Sequence, residues 1–374
     1  MGSEANQITR YTLAILAFFL GLLATHLLAI HSHCWEGLNP YCLIRWDSGL
    51  YLDIAQNGHT LAACPDDPSK WCGNAGWAPL YPFMVRGLAC LIPGHSLEWS
   101  SVLVAWSGLL ASFLLVSHMN KGKNARTLIG QLAVLLLAPG SIYFYAAFPL
   151  SWTLFFTLGL YHGLSKHSVV WVWISSIALM WIYSIGFVFL GLLFLLWAYS
   201  CSIDDPSPIR PLSAQAFMAA CLSFLALLGY EYMSTGHWNA TFMVQAKYGH
   251  TLNQPLKFMG IHAERLINSW SGIQRFIELQ HFGIWVFLLV LAIQKPIYQS
   301  HTLIKFSALA LLLLWALPYG ASPDVALYRN AALGAAFWMI LLNQHKPSIR
   351  WAFLLYFGIC WGPMAVLFFQ SILI

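Results

Sequence analysis

Charge is what this sequence has least of: only 8% of its 374 residues are Asp, Glu, Lys or Arg, where an average soluble domain carries roughly a quarter. A chain so poor in charge cannot cover a globule with solvated side chains. With 59% apolar residues and a mean hydropathy of +0.66, its main solvent is the bilayer. The 18 basic residues outnumber the 13 acidic ones without forming a run of five like charges, which excludes a nucleic-acid footprint and a polybasic tail. Internal self-similarity is absent too, which sets the chain apart from repeat-built transporters. A small-x-small cleavage site is missing after the first apolar run, Tyr11 to Ile30, so that run is expected to stay as a membrane anchor.

What is present is a succession of apolar stretches. Helices satisfy their own backbone groups in hydrocarbon. Reading stretches of about 17 to 25 residues as spans therefore predicts helices over 11–31, 97–117, 126–147, 150–164, 168–183, 185–200, 212–233, 280–294, 303–320, 325–343 and 351–372. This is an all-α polytopic bundle of about eleven spans, expected to fold as a single domain over 1–374. Pro139-Gly140 and Phe148-Pro149 are expected to break helices within the membrane. With the N-terminus inside, the inner loops hold Arg10, Lys121, Lys123, Arg126, Lys166, Arg210, Lys295, Lys305, Lys346 and Arg350 against Glu4, Asp204 and Asp205, as the positive-inside rule requires. Two long loops, about 32–96 and 234–279, then face away from the cytoplasm.

Cysteine use fits that orientation. Cys34, Cys42, Cys64 and Cys72 all fall in the first long loop, where an oxidising compartment favours two disulfides; three pairings are open. Neither spacing is the close pair of a structural zinc site, and no metal centre is expected.

The first outer loop carries the densest chemistry. Apolar positions 43, 46, 50 and 54 predict a helix lying along the interface, stopped at Gly58, with Asp47 at its start. A carboxylate at the membrane surface beside Arg45 is placed to meet a lipid-borne donor and an acceptor hydroxyl; the alternative is a helix cap paired with Arg45. Asp53, six positions on, is turned roughly 120° away. Asp66 and Asp67, flanked by prolines, predict a solvated turn. Trp77-Ala78-Pro79-Leu80-Tyr81-Pro82 opens a second short helix from about Tyr81 to Ile92, its tryptophan and tyrosine candidates for stacking on a sugar.

The run Arg45-Trp46-Asp47-Ser48, with Tyr51, Ile54-Ala55 and Gly58 and then Pro79-Leu80-Tyr81-Pro82, resembles the first-loop pattern of the GPI mannosyltransferase II family. These eukaryotic enzymes add the second mannose to the glycolipid, and they have bacterial relatives. Thr235-Gly236 followed by Ala240, Gln245 and Lys247-Tyr248-Gly249 is similar to a later family stretch, and Tyr328-Arg329 to a third. The chain departs at Pro149-Leu150-Ser151, which lacks the family's acid, and at Tyr183, where the family commonly has arginine.

The resemblance implies a membrane glycosyltransferase of the C superfamily with a bundle of that type, active on the non-cytoplasmic side and using a polyprenyl-phosphate sugar, with mannose the expected sugar and no further cofactor. The acceptor is a glycolipid or glycan hydroxyl. It implies Asp47 as the base of an inverting transfer. Arg329, Lys247 and His250 are candidates for the phosphate, Arg265 less so, and Arg45, Trp46, Tyr81 and Gln245 for further substrate contacts. The rival classes are a flippase or transporter of a lipid-linked precursor, which calls for ionisable residues in mid-span, and an inactive membrane assembly factor.

Overall fold

In the computed structural model the described residues are 2–34, 39–91, 94, 96–202, 208–248, 255–268, 272–293, 302–321 and 327–372. The protein is a helical membrane protein. Among the described residues, four helices are long and apolar enough to cross a bilayer: α1 (Gly2–His31, apolar from Gln7), α4 (Leu97–Met119), α9 (Ile209–Thr235) and α16 (Pro347–Phe369). Shorter apolar helices lie between them, including α3 (Leu80–Leu91), α5 (Ala125–Leu137), α7 (Val169–Ile182) and α8 (Gly186–Ser202). The remaining helices are α2 (Ser48–Asn57), α6 (Leu150–Lys166), α10 (Ala240–Lys247), α11 (Pro255–Asn268), α12 (Gly272–Ala292), α13 (Thr302–Ala321), α14 (Leu327–Leu333) and α15 (Ala335–Leu342).

Seams between helices are sealed by small residues and by side chains bonding to backbone, as expected where lipid offers no hydrophobic drive between helices. Along α7 and α9, Trp181 Nε1 donates to the Ser223 carbonyl (3.1 Å) and Ser223 Oγ to that of Ile177 (3.0 Å). Local chemistry sets several helix starts: Ser96 Oγ accepts from Trp99 N and Asn124 Oδ1 from Thr127 N, each satisfying an orphan donor.

Two expected spans are shorter than their apolar runs. The 126–147 stretch stops at Leu137, because Ala138-Pro139-Gly140 redirects the chain into a 3-10 turn over Ser141–Phe144. The 325–343 stretch is divided at Gly334 into α14 and α15. Gly140 has a φ of 75° and packs directly on the Tyr328 carbonyl, where any β-carbon would collide with backbone. Only glycine permits both the left-handed turn and that approach, so the first break exists to bring 141–148 against the start of α14.

The loop between α1 and α3 is more structured than its sequence suggests. Beyond α2 it forms a hairpin, β1 (Leu61–Ala63) pairing antiparallel with β2 (Trp71–Gly73), Ala62 opposite Cys72. Asp67 closes its turn, accepting from Ser69 Oγ (2.6 Å) and pairing with Lys70 (3.1 Å). Disulfides join Cys34 to Cys42 and Cys64 to Cys72.

Candidate functional site

The chain approaches α2 through a 3-10 turn, Pro40–Leu43, whose entry is fixed by Asn39 Oδ1 accepting from Tyr41 N (2.9 Å). Trp46 then takes a φ of +45°, a left-handed conformation uncommon for a bulky residue and held only where the surroundings enforce it. Its ring is fixed by Phe368 (5.3 Å between centroids) and Tyr143 (6.1 Å). The kink keeps Leu43 and Trp46 out of the helix, so the buried face is Ser48, Tyr51, Ile54 and Ala55 and not the 43-46-50-54 stripe read from the sequence. Gly58 ends α2, its N–H donating to Ile54 O at 2.9 Å.

The kink also decides what Asp47 does. It occupies the N-cap position, yet its side chain makes no capping hydrogen bond. Its carboxylate instead pairs with the Arg329 guanidinium, 282 positions away on α14. Pairing with Arg45 is overturned by the same geometry. Arg45 Nη2 donates to the Phe369 carbonyl at the end of α16 (3.0 Å) and lies 2.8 Å from Cys34 Sγ, tying the loop to the last span.

Aromatic residues surround the pair. Phe148 lies under Arg329, 5.7 Å from ring centroid to Cζ, and contacts Tyr143 and Tyr51 edge-on. Tyr51, Tyr143 and Tyr183 all feel the charges of Asp47 and Arg329. Burial, then Tyr183 and Asp47, push the Tyr51 phenol well above its ordinary value, so it stays a neutral donor. Its hydroxyl and that of Ser48 are buried without a hydrogen-bond partner. Unpaired buried hydroxyls cost free energy, and these two lie at the start of one helix beside the ion pair. The residue before Phe148 ties this segment to the first loop, Ala147 N donating to Leu43 O at 2.9 Å.

The other sequence-derived candidates separate. Tyr81 is fully buried, donates to the Ser101 carbonyl (2.8 Å) and meets Tyr51 edge-on at 5.5 Å. It braces Tyr51 from behind and is not exposed for stacking on a sugar, a correction that follows from its sitting on the inner face of α3. Gln245 donates to Gly76 O (3.0 Å) and Thr241 Oγ1 to Ala75 O (3.0 Å), so α10 is latched to the first loop. Lys247 rests against Cys72 Sγ (3.1 Å) and the Tyr248 ring. Tyr248 is half exposed and meets the Trp77 ring at 6.2 Å. Arg265 is on α11. His250 lies outside the described residues.

Sequence reading missed Tyr143 and Phe148 as members of the site, and Arg86, whose Nε and Nη2 donate to the Ala55 and Ile54 carbonyls (2.5 and 3.3 Å) and close the C-terminal end of α2. Phe148 and Gly140 did carry a signal, as the proline-flanked breaks. Asp53 is consumed locally: it accepts from Asn57 (2.7 Å) and Asn74 (2.5 Å), and Asn74 also bonds to Thr60 N and Gly58 O. Among the described residues no group of three or more His, Cys, Asp or Glu side chains is arranged to hold a metal ion.

No family model, curated protein or solved structure matches this chain.

Proposed function

We propose that the protein is a membrane glycosyltransferase that moves a sugar, with mannose the leading candidate, from a polyprenyl-phosphate donor to an acceptor hydroxyl with inversion at the anomeric carbon. The observation that carries this reading is the pairing of Asp47 with Arg329 in a part-buried, ring-lined site. A base and a phosphate-binding cation are the two groups the chemistry requires, and here they adjoin. The acceptor oxygen attacks the anomeric carbon, Asp47 takes its proton, and the bond to the phosphate oxygen breaks. The electron pair leaves on polyprenyl phosphate, which Arg329 holds. Before donor binds, Arg329 occupies Asp47; a phosphate engaging the guanidinium releases the carboxylate for the hydroxyl. Tyr51, neutral and unpaired, donates to the same ligand.

The finer topology belongs to this reading: about eleven spans in a C-superfamily bundle, the N-terminus inside, and the site open to the periplasm, exterior or organelle lumen. A reporter that needs cytosol, fused after Lys70, is expected to be silent; activity there overturns the orientation.

Favouring transport as a second reading is a buried pair inside an apolar stretch, His281 Nδ1 at 3.5 Å from Glu278 on α12, with the His281 ring stacked on Tyr328 (4.8 Å). Ionisable residues at such depth commonly mark ion paths. Proteoliposomes holding a labelled polyprenyl-phosphate sugar separate the classes. Label appearing in a new glycolipid supports the transferase; label crossing the bilayer unchanged supports transport and overturns it; neither supports an inactive assembly factor.

A further inference from the structure

Beyond the Trp77 indole, which meets Tyr248 at 6.2 Å, a cleft enters the bundle. It is narrow and partly open to the outside, with interior room for little more than one water-sized group, between the first loop and the adjoining ends of α7, α8, α9 and α10. Its walls include the aromatic side chains Trp77, Phe187, Phe224, Tyr230 and Phe242. Glu231 also lines it, with only 5% of its surface exposed. The carboxylate accepts from Thr241 Oγ1 (2.7 Å) and Thr241 N (3.2 Å), which leaves acceptor capacity over. Among the described residues no cationic side chain pairs with it.

A buried carboxylate without a cation is costly to keep. Aromatic faces, negative at their centres, attract a cation desolvated between them. Together they describe the receptor for an organic ammonium. The rim says where it comes from: Phe187 and Phe242 are 49% and 44% exposed and in ring contact at 6.2 Å, and the neighbouring α9 surface carries exposed Leu222 and Leu225. An entrance of exposed apolar side chains opens to lipid. Arg86 supplies the complementary sign: it lies on α3 three positions after Phe83, whose ring meets that of Tyr230 in the cleft wall at 5.7 Å, and only two of its donor groups are engaged by the Ala55 and Ile54 carbonyls.

We propose that this cleft binds the headgroup of an ammonium-bearing zwitterionic phospholipid, its ammonium on Glu231 and the surrounding rings and its phosphate toward Arg86. The site is separate from Asp47 and stands whether or not the protein transfers sugar.

The test uses the full chain in phosphatidylglycerol nanodiscs, titrated with phosphatidylethanolamine and read by native mass spectrometry. Wild type is expected to retain phosphatidylethanolamine in preference to phosphatidylglycerol. Glu231→Gln keeps an oxygen for Thr241 but loses the charge, and should weaken binding about tenfold. Phe242→Ala, at the exposed rim, should weaken it severalfold and carries the test if Glu231→Gln does not fold. Free phosphoethanolamine should compete only at far higher concentration than the lipid. Equal retention of both lipids by wild type, or wild-type binding by every variant that folds, overturns the proposal. Competition by free phosphoethanolamine as effective as the lipid's overturns the assignment to a lipid.

Discussion

Asp47 and Asp53 lie at the start and in the body of the same ten-residue helix and are used in opposite ways. Asp53 is satisfied by neighbours in sequence, Asn57 and Asn74, within one loop. Asp47 is satisfied by a residue 282 positions away. The first arrangement needs only the loop to fold. The second needs the first loop, the break at Gly140 and the start of α14 to come together, and places the carboxylate beside Phe148, Tyr51 and Tyr143. A side chain satisfied locally builds the loop; one that depends on a distant partner is free to exchange that partner for a ligand.

Neutralising each carboxylate sharpens that contrast most. Asp47→Asn should lower turnover by about 10²- to 10⁴-fold, as for a lost general base, with donor binding retained. Asp53→Asn should leave turnover near normal and cost about 1.5–3 kcal/mol of stability, the usual worth of a charged hydrogen bond. Near-normal transfer by Asp47→Asn together with a dead Asp53→Asn inverts the assignment. On the partner side, Arg329→Ala should raise the donor KM, whereas Arg45→Ala should act through stability, because its bond is to the Phe369 carbonyl.

A smaller effect is expected on the local side alone. Replacing Cys64 and Cys72 by serine opens the hairpin beside Asp53, at a cost of about 2.5 kcal/mol on the chain-entropy account. Thermal melting in detergent should register that loss while the Asp47–Arg329 pair persists. Four freely alkylated thiols among Cys34, Cys42, Cys64 and Cys72 in native protein contradict both bridges.

The smallest effect is on pH dependence. His59, in the first loop, donates from Nε2 to the Trp77 carbonyl, and its Nδ1 accepts from the Tyr230 hydroxyl, both at 2.8 Å. Burial lowers its pKa, only partly countered by the Trp77 carbonyl. A group depressed in the folded state contributes stability that is fully present above its unfolded pKa of about 6.5 and is lost as pH falls through the lower folded value. Wild type should therefore lose stability below about pH 6.5, and His59→Asn should flatten that slope. An unchanged slope contradicts the assignment.

Much of this was legible in the sequence, in uneven measure. Apolar length identified a helical membrane protein, and the stop at Gly58, a short helix from about Tyr81 and the turn at Asp66 and Asp67 followed from residue chemistry. The hairpin was not legible, because three-residue strands carry no periodicity. The left-handed Trp46 was not legible either, since nothing local favours it; Phe368 and Tyr143, both distant in sequence, hold it there. That single residue turned the buried face of α2 and left Asp47 at the N-cap position without a side-chain capping bond. Tyr81 misled for a related reason: a motif position names a residue without saying which face of its helix is inward. Arg329 was found by resemblance and Asp47 by position, but their pairing is a tertiary fact.

The pairing is also what can be measured most directly. In Asp47→Cys/Arg329→Cys protein in membranes, a short bifunctional thiol reagent should join the two positions, and mass spectrometry should recover the cross-linked peptides. Asp53→Cys/Arg329→Cys protein should give none. Cross-linking of the Asp53 pair with none from the Asp47 pair would contradict the site as described.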